Sequence, residues 1–256
     1  MTTPQSVESV FSRAWELLTR NWVIIVPGIV IGAIVGVLRV VLTPPAIYTT
    51  DAAGATVYNA GALGATVLSG ALLSLIGLIA FIANQAFTTG MAGAAWQRGV
   101  ATLADGFASF QEDAGRIILT GIGLIGLAII AVIIAIPTLG IALLAFYLFT
   151  LYAFPAAIVG NRPGFSSIGE SFRITIARFV PTLILGIVIF VISLVAAFIA
   201  ALLHAIPFLG PIVGGILTQI VVAYATLVVV GEYLNLRNTG AIAPPTTPNT
   251  PGAPVV

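Results

Sequence analysis

The sequence of 256 residues predicts an all-α, polytopic integral membrane protein. The expected architecture is six transmembrane helices in three hairpins, each hairpin preceded by a cytoplasmic amphipathic helix. Three observations carry this expectation. Hydrophobic residues make up 59% of the chain and charged residues 7%, against roughly 25% charged in a soluble domain. The apolar residues gather in blocks of about twenty, the helix length that crosses ~30 Å of hydrocarbon. None of the blocks alternates with period two, which excludes the strands of a membrane barrel. The same hydrophobicity excludes disorder.

Taken in chain order, the first element is amphipathic. Val7, Val10, Phe11, Ala14, Leu17 and Leu18 form one stripe, while Glu8, Ser9, Ser12, Arg13, Glu16 and Arg20 face away. Thr3 followed by Pro4 suits an N-cap and a first helical position. Without a continuous apolar core in this segment, no signal peptide is expected. Spans one and two follow at 22–42 and 63–87. A second amphipathic segment places Leu103, Phe107, Phe110 and Ala114 on one face, before spans three and four at 117–136 and 141–159. In the third, Ser167-x-x-Glu170 reads as a capping box, with Ile168, Phe172, Ile176 and Phe179 on one face. Spans five and six are expected at 179–204 and 209–230. Two short turns, Ile136-Pro137-Thr138-Leu139-Gly140 and Ile206-Pro207-Phe208-Leu209-Gly210, force antiparallel neighbours. Pro27, Pro155 and Pro181 kink or start their helices.

Orientation follows from arginine, the only basic residue type apart from one histidine. Eight of the nine arginines fall on one side of the predicted spans. The positive-inside rule makes that side, with both termini, cytoplasmic. The expected location is therefore a prokaryotic cytoplasmic membrane. The spans fall into one domain over 1–237, with pseudo-repeats at about 4–89, 102–160 and 166–237. Ala135-Ile136-Pro137-Thr138-Leu139-Gly140 recurs seventy positions later as Ala205-Ile206-Pro207-Phe208-Leu209-Gly210. Ala14-Trp15…Asn21-Trp22, Ser109-Phe110…Arg116-Ile117 and Ser171-Phe172…Arg178-Phe179 stand before spans one, three and five. Residues 238–256, rich in Pro and Thr, read as a flexible tail.

Two further stretches are Gly90-x5-Trp96-x-Arg98-Gly99-x5-Asp105-x-Phe107 and Tyr152-x2-Pro155…Ser171-Phe172-Arg173. On these, the region from Ser6 to Arg237 resembles the membrane domain of glycerophosphoryl diester phosphodiesterases and related six-span prokaryotic families of unknown function. In that family the phosphodiesterase chemistry belongs to a separate soluble domain. The resemblance thus implies a six-helix membrane module and no catalytic residue.

Residues for a functional role fall into three sets. Gly28, Gly32 and Gly36 in span one, with Gly210 and Gly214 in span six, have the four-residue spacing that brings helix backbones together. Trp15, Arg20, Trp22, Phe110, Arg116, Phe172, Arg173 and Arg178 mark the amphipathic segments as an interface for anionic lipid headgroups or a partner subunit. A strut packed beneath the bundle is the equal alternative. Asn84, Gln85 and Gln219 would line a polar pathway, or hydrogen-bond between helices for ~1 kcal/mol.

The remaining polar groups read as structural. Arg39 would snorkel outward and pair with Asp51, and His204 suits the interface. No paired intramembrane carboxylates, HExxH, GxSxG or P-loop occurs, and Gly121-x-Gly123-x-x-Gly126 lacks the strand that a dinucleotide fingerprint needs. With no cysteine either, no enzyme, cofactor, metal site or nucleic-acid partner is expected. The expected role is a non-catalytic accessory or scaffold subunit of a membrane complex, or an organiser of envelope lipid. The alternative is a small transporter or lipid-handling permease.

Overall fold

In the computed structural model the described residues are 6–42, 48–50, 56–58, 60–162, 164–203, 205–206 and 209–240. Six helical stretches within them are long and apolar enough to cross a membrane, at Trp22–Val41, Ala62–Arg98, Leu103–Ala135, Ile141–Ile158, Phe179–Leu203 and Ile212–Asn238. The chain is an all-α polytopic membrane protein. Its elements are α1 (Val7–Arg20), a 3-10 turn (Trp22–Ile25), α2 (Val26–Val41), α3 (Ala60–Arg98), α4 (Leu103–Ala135), α5 (Ile141–Thr150), α6 (Ala153–Ile158), α7 (Gly164–Ala177), α8 (Phe179–Leu203) and α9 (Leu209–Asn238). A two-stranded antiparallel ribbon, β1 (Tyr48–Thr50) and β2 (Thr56–Tyr58), lies between α2 and α3.

Proline decides where the amphipathic segments separate from the spans. Pro27, with no N–H to offer Val23, sits at the start of α2, and the chain breaks from α1 at Asn21. Pro181 does the same at the start of α8, so α7 ends before Arg178. No proline follows Arg116 within its turn, and the second amphipathic segment is continuous with span three as the 33-residue helix α4. This corrects the expectation of a separate helix there. Span four is broken into α5 and α6 at Leu151-Tyr152, where Pro155 cannot donate to the Leu151 carbonyl.

Caps differ from expectation too. The N-cap of α1 is Ser6, whose hydroxyl accepts from the Ser9 N–H at 3.3 Å; Thr3 and Pro4 lie outside the described residues. Ser167 is no cap, because α7 already begins at Gly164 and the Ser167 hydroxyl donates back to the Gly164 carbonyl at 2.6 Å. The capping carboxylate is instead Asp105 at the start of α4. It accepts from the Thr102 N–H at 2.8 Å and from the Thr102 hydroxyl at 2.9 Å.

Helix packing closes a ring. α3 lies on α4, α4 on α5, α5 on α8, α8 on α9, and α9 back on α3. α2 stands outside the ring against α3 and α9, and α1 lies on α9. The 39 residues of α3 span ~58 Å at 1.5 Å per residue, well beyond the hydrocarbon thickness. Its last turns and the first turns of α4 therefore form a projecting corner, clasped by Arg98 and Asp105 at 2.5 Å.

Burial is concentrated at this end. Val10, Ala14, Leu17 and Leu18 of α1 share one core with Met91, Ala92 and Ala95 of α3, Tyr152, Ile174 and the stretch Leu227–Leu236 of α9. The first and last described helices meet here, so Ser6 and Gly240, where the described chain begins and ends, belong to the same end of the bundle. At the opposite end packing is sparse. On α3 no residue from 63 to 85 is buried, and on α4 only Ala131 is buried beyond Gly121.

Candidate functional site: an apolar chamber in the helix ring

Between the dense end and the sparse end the ring encloses a chamber of about 500 Å³. All five ring helices contribute to its wall, and Phe154 and Pro155 of α6 close it on the side of the dense core. Most of the lining is hydrocarbon and aromatic: Leu78, Phe81 and Ile82 of α3, Leu124 and Ile125 of α4, Phe146 of α5, Ile189 and Phe190 of α8. Phe81 and Phe190 are 52% and 54% exposed, and they mark where the chamber meets the bundle exterior. Phe81 also stands edge-on to Phe154, centroids 6.5 Å apart. Among the described lining residues there is no Asp, Glu, Arg or His.

The polar groups on the wall are Gln85 and Thr89 of α3, Tyr147 and Thr150 of α5, Ser193 of α8 and Thr226 of α9. Several of these are already satisfied within the protein. Thr150 donates to the Phe146 carbonyl at 2.7 Å and Thr226 to the Val222 carbonyl at 2.9 Å, the usual back-bond of a helical threonine. The Tyr147 hydroxyl reaches the Gly186 carbonyl at 3.5 Å. Thr89 is buried and unsatisfied: it is 1% exposed and its hydroxyl has no partner among the described residues.

The amides singled out from the sequence do not share a space. Gln85 lines the chamber. Asn84, beside it on α3, takes the Thr88 hydroxyl at 3.4 Å. Gln219 lies between α9 and α2, its side chain against Gly28 and Gly32. A methyl group at Gly28 would collide with the Gln219 amide, so that glycine makes room for a side chain and not for a helix backbone. Gly36 faces open space. Gly214 does bring two helices together, since a Cβ there would lie 3.3 Å from the Ala200 Cβ; Gly210 is buried nearby.

The residues of the amphipathic segments are scattered over the dense end. Trp15 and Trp22 are exposed, and the Trp15 ring stands edge-on to Tyr224 at 5.8 Å. Arg20 pairs with Glu16 at 2.6 Å on the surface. Phe110 stacks on Phe87 with centroids 5.5 Å apart, and Phe172 leans on Phe149 at 5.0 Å. Arg116 holds Asp113 at 2.6 Å and also reaches Asn161. Arg173 is exposed, and Arg178 lies within electrostatic reach of the buried Glu232. The inward face of α7 mixes polar and apolar residues: Ser167, Glu170, Ser171 and Thr175 are buried beside Ile168 and Ile174, while Phe165 and Ile176 face outward. Glu170 takes the Tyr233 hydroxyl at 2.8 Å and pairs with Arg162. Sequence periodicity missed this network, because it marks apolar positions and α7 buries four polar side chains among them.

The stretches behind the family resemblance serve packing. Gly90 makes room for Ser109, Trp96 donates to the Leu227 carbonyl at 2.8 Å, and Phe107 stands edge-on to Phe87 at 4.9 Å. The Ser171 hydroxyl bridges the α5–α6 break, accepting from the Tyr152 N–H at 3.0 Å and donating to the Phe149 carbonyl at 2.6 Å. Arg39 is engaged in an interaction of its own; Asp51 and His204 lie outside the described residues, as does the tail from residue 241. Compared with known proteins, the chain matches no family model, no curated protein and no solved structure.

Proposed function

We propose that this is a non-catalytic, lipid-handling membrane protein that takes a hydrocarbon chain into its helix ring. One observation carries the reading: a largely apolar chamber of about 500 Å³, open past Phe81 and Phe190 and bounded by five helices. Its volume lies in the ~300–1,000 Å³ range of small-molecule sites. A wall without Asp, Glu, Arg or His suits an apolar occupant, since a charge there would lose its hydration without compensation. A polar-solute path gains no such support, because only one of the three expected amides lies on the wall.

The resemblance to the phosphodiesterase membrane domain belongs to the same proposal. A module whose shared residues pack helices is what a membrane domain without catalytic groups requires. The arginine-rich dense end is proposed to face the cytoplasm, where Arg20 and Arg173 are placed to meet anionic headgroups. The accessory-subunit reading draws on a different observation, the sparsely packed end, where the stretch of α3 from 63 to 85 offers apolar surface to a neighbour.

Filling the chamber tests the proposal. Ala128→Trp places an indole in the space between α4 and the facing helices. Native mass spectrometry of the protein extracted in mild detergent should find a retained lipid on the wild type and at least tenfold less on the variant. Equal retention, or no retained lipid on either, would overturn it.

A further inference from the structure

We propose that Thr89 and Gln85 form a head-group site in the chamber, and that the occupant is a single-chain lipid ending in an uncharged hydroxyl. This inference deepens the lipid-handling reading and rests on it. Thr89 is four residues after Gln85, so both belong to one face of α3, and both line the chamber. A helical threonine ordinarily satisfies its hydroxyl on the carbonyl four residues back. Thr66, Thr150, Thr218 and Thr226 all do so here, at 2.7–2.9 Å. Thr89 does not, although it is 1% exposed. A buried polar group without a protein partner is costly enough to require an explanation, and pairing with a polar atom of a ligand in the chamber is one.

Gln85 completes the site. It is half-buried, and it is not among the described residues that have a hydrogen bond or other polar interaction. An amide offers both a donor and an acceptor, as does a hydroxyl. A ligand hydroxyl likewise donates and accepts, so it can serve both residues at once. An ester carbonyl only accepts. A carboxylate would bring a charge beside Phe81, Ile82 and Phe154, with no cation on the wall to meet it. The chain of the lipid then lies along the apolar remainder of the chamber.

The experiment compares chains that differ only at the head. Hexadecanol, methyl palmitate, palmitate and hexadecane are titrated against the full-length protein in nanodiscs, read by displacement of a photoreactive alkane. Geranylgeraniol and monopalmitoylglycerol distinguish a branched chain or a glycerol head from a simple alcohol. The wild type should bind hexadecanol about tenfold more tightly than hexadecane, the worth of one or two neutral hydrogen bonds. Thr89→Val, which keeps the shape and removes the hydroxyl, should reduce that preference to threefold or less while hexadecane binding stays. Gln85→Leu should do the same.

Stability gives a second reading. Because the Thr89 hydroxyl has no partner, the ligand-free Thr89→Val protein should unfold at the same temperature as the wild type or a higher one. A loss of stability would mean that the hydroxyl serves the fold, and would overturn the site. Equal binding of alcohol and alkane by the wild type would also overturn it, while leaving the chamber's role intact. Failure of every chain to bind would remove both the head-group site and the lipid-handling reading.

Discussion

Asn21 shows how much a single side chain does at the dense end. It is 5% exposed and sits where α1 stops. Its amide donates to the Leu17 carbonyl at 2.9 Å and to the Gly99 carbonyl at 3.2 Å, and its oxygen accepts the buried Ala101 N–H at 2.8 Å. One asparagine therefore caps α1 and ties it to the corner between α3 and α4. Asn21→Ala would leave the Ala101 N–H without a partner, at a cost of about 1–3 kcal/mol. Thermal unfolding in detergent should show a clear fall in midpoint, and an unchanged midpoint would contradict this role. In the sequence, Asn21 stood out only as the polar position before Trp22. Its two long-range partners are about eighty positions away, beyond anything local spacing can reveal.

Among the helices, α7 departs most from the pattern of its sequence. The apolar periodicity puts Ile168, Phe172, Ile176 and Phe179 on one face, yet the structure divides that face: Ile168 is buried and Ile176 is 68% exposed, while Glu170 is 6% exposed. Apolar residues can face lipid, so in a membrane protein hydrophobic periodicity no longer identifies the buried side. Among the inward polar groups, Glu170 has Arg162 and Tyr233 as partners. Removing one member of a buried ion pair strands the other, at about 3 kcal/mol or more. Glu170→Ala should accordingly raise hydrogen exchange over 164–177 at least tenfold, with α8 and α9 near Ala200 and Gly214 unaffected. Unchanged exchange in α7 would show that other contacts hold it.

The boundaries of α3 and α4 escaped the sequence for a related reason. Hydropathy falls after Phe87 because residues 88–98 are mainly small or polar, and the predicted span ended there. The helix continues to Arg98 because Met91, Ala92 and Ala95 pack in the core shared with α1 and α9 instead of against lipid. The six apolar blocks were legible since each is long and nearly free of charge. The chamber was not legible, since its wall is assembled from isolated positions on several helices, each an ordinary membrane residue. Gln85 was its one visible trace.

For the molecule as a bundle, dense packing at one end and sparse packing at the other imply a rigid base and a yielding mouth. Arg98, Arg116, Arg162, Arg178 and Arg237 all belong to the dense end. The arginine distribution thus predicts that this end faces the cytoplasm. The chain contains no cysteine, so single cysteines can be introduced without background. Ser9→Cys and Thr239→Cys should react with a membrane-impermeant maleimide only after the cells are opened, and Thr138→Cys in intact cells. The reverse pattern would place the base outside.

The central claim is that the helix ring holds a lipid chain, and an experimental density map of the protein in lipid nanodiscs tests it most directly. The account predicts one elongated density in the chamber, its end within hydrogen-bonding distance of Gln85 and Thr89. A chamber that has closed on itself, or that contains only ordered water, would contradict it.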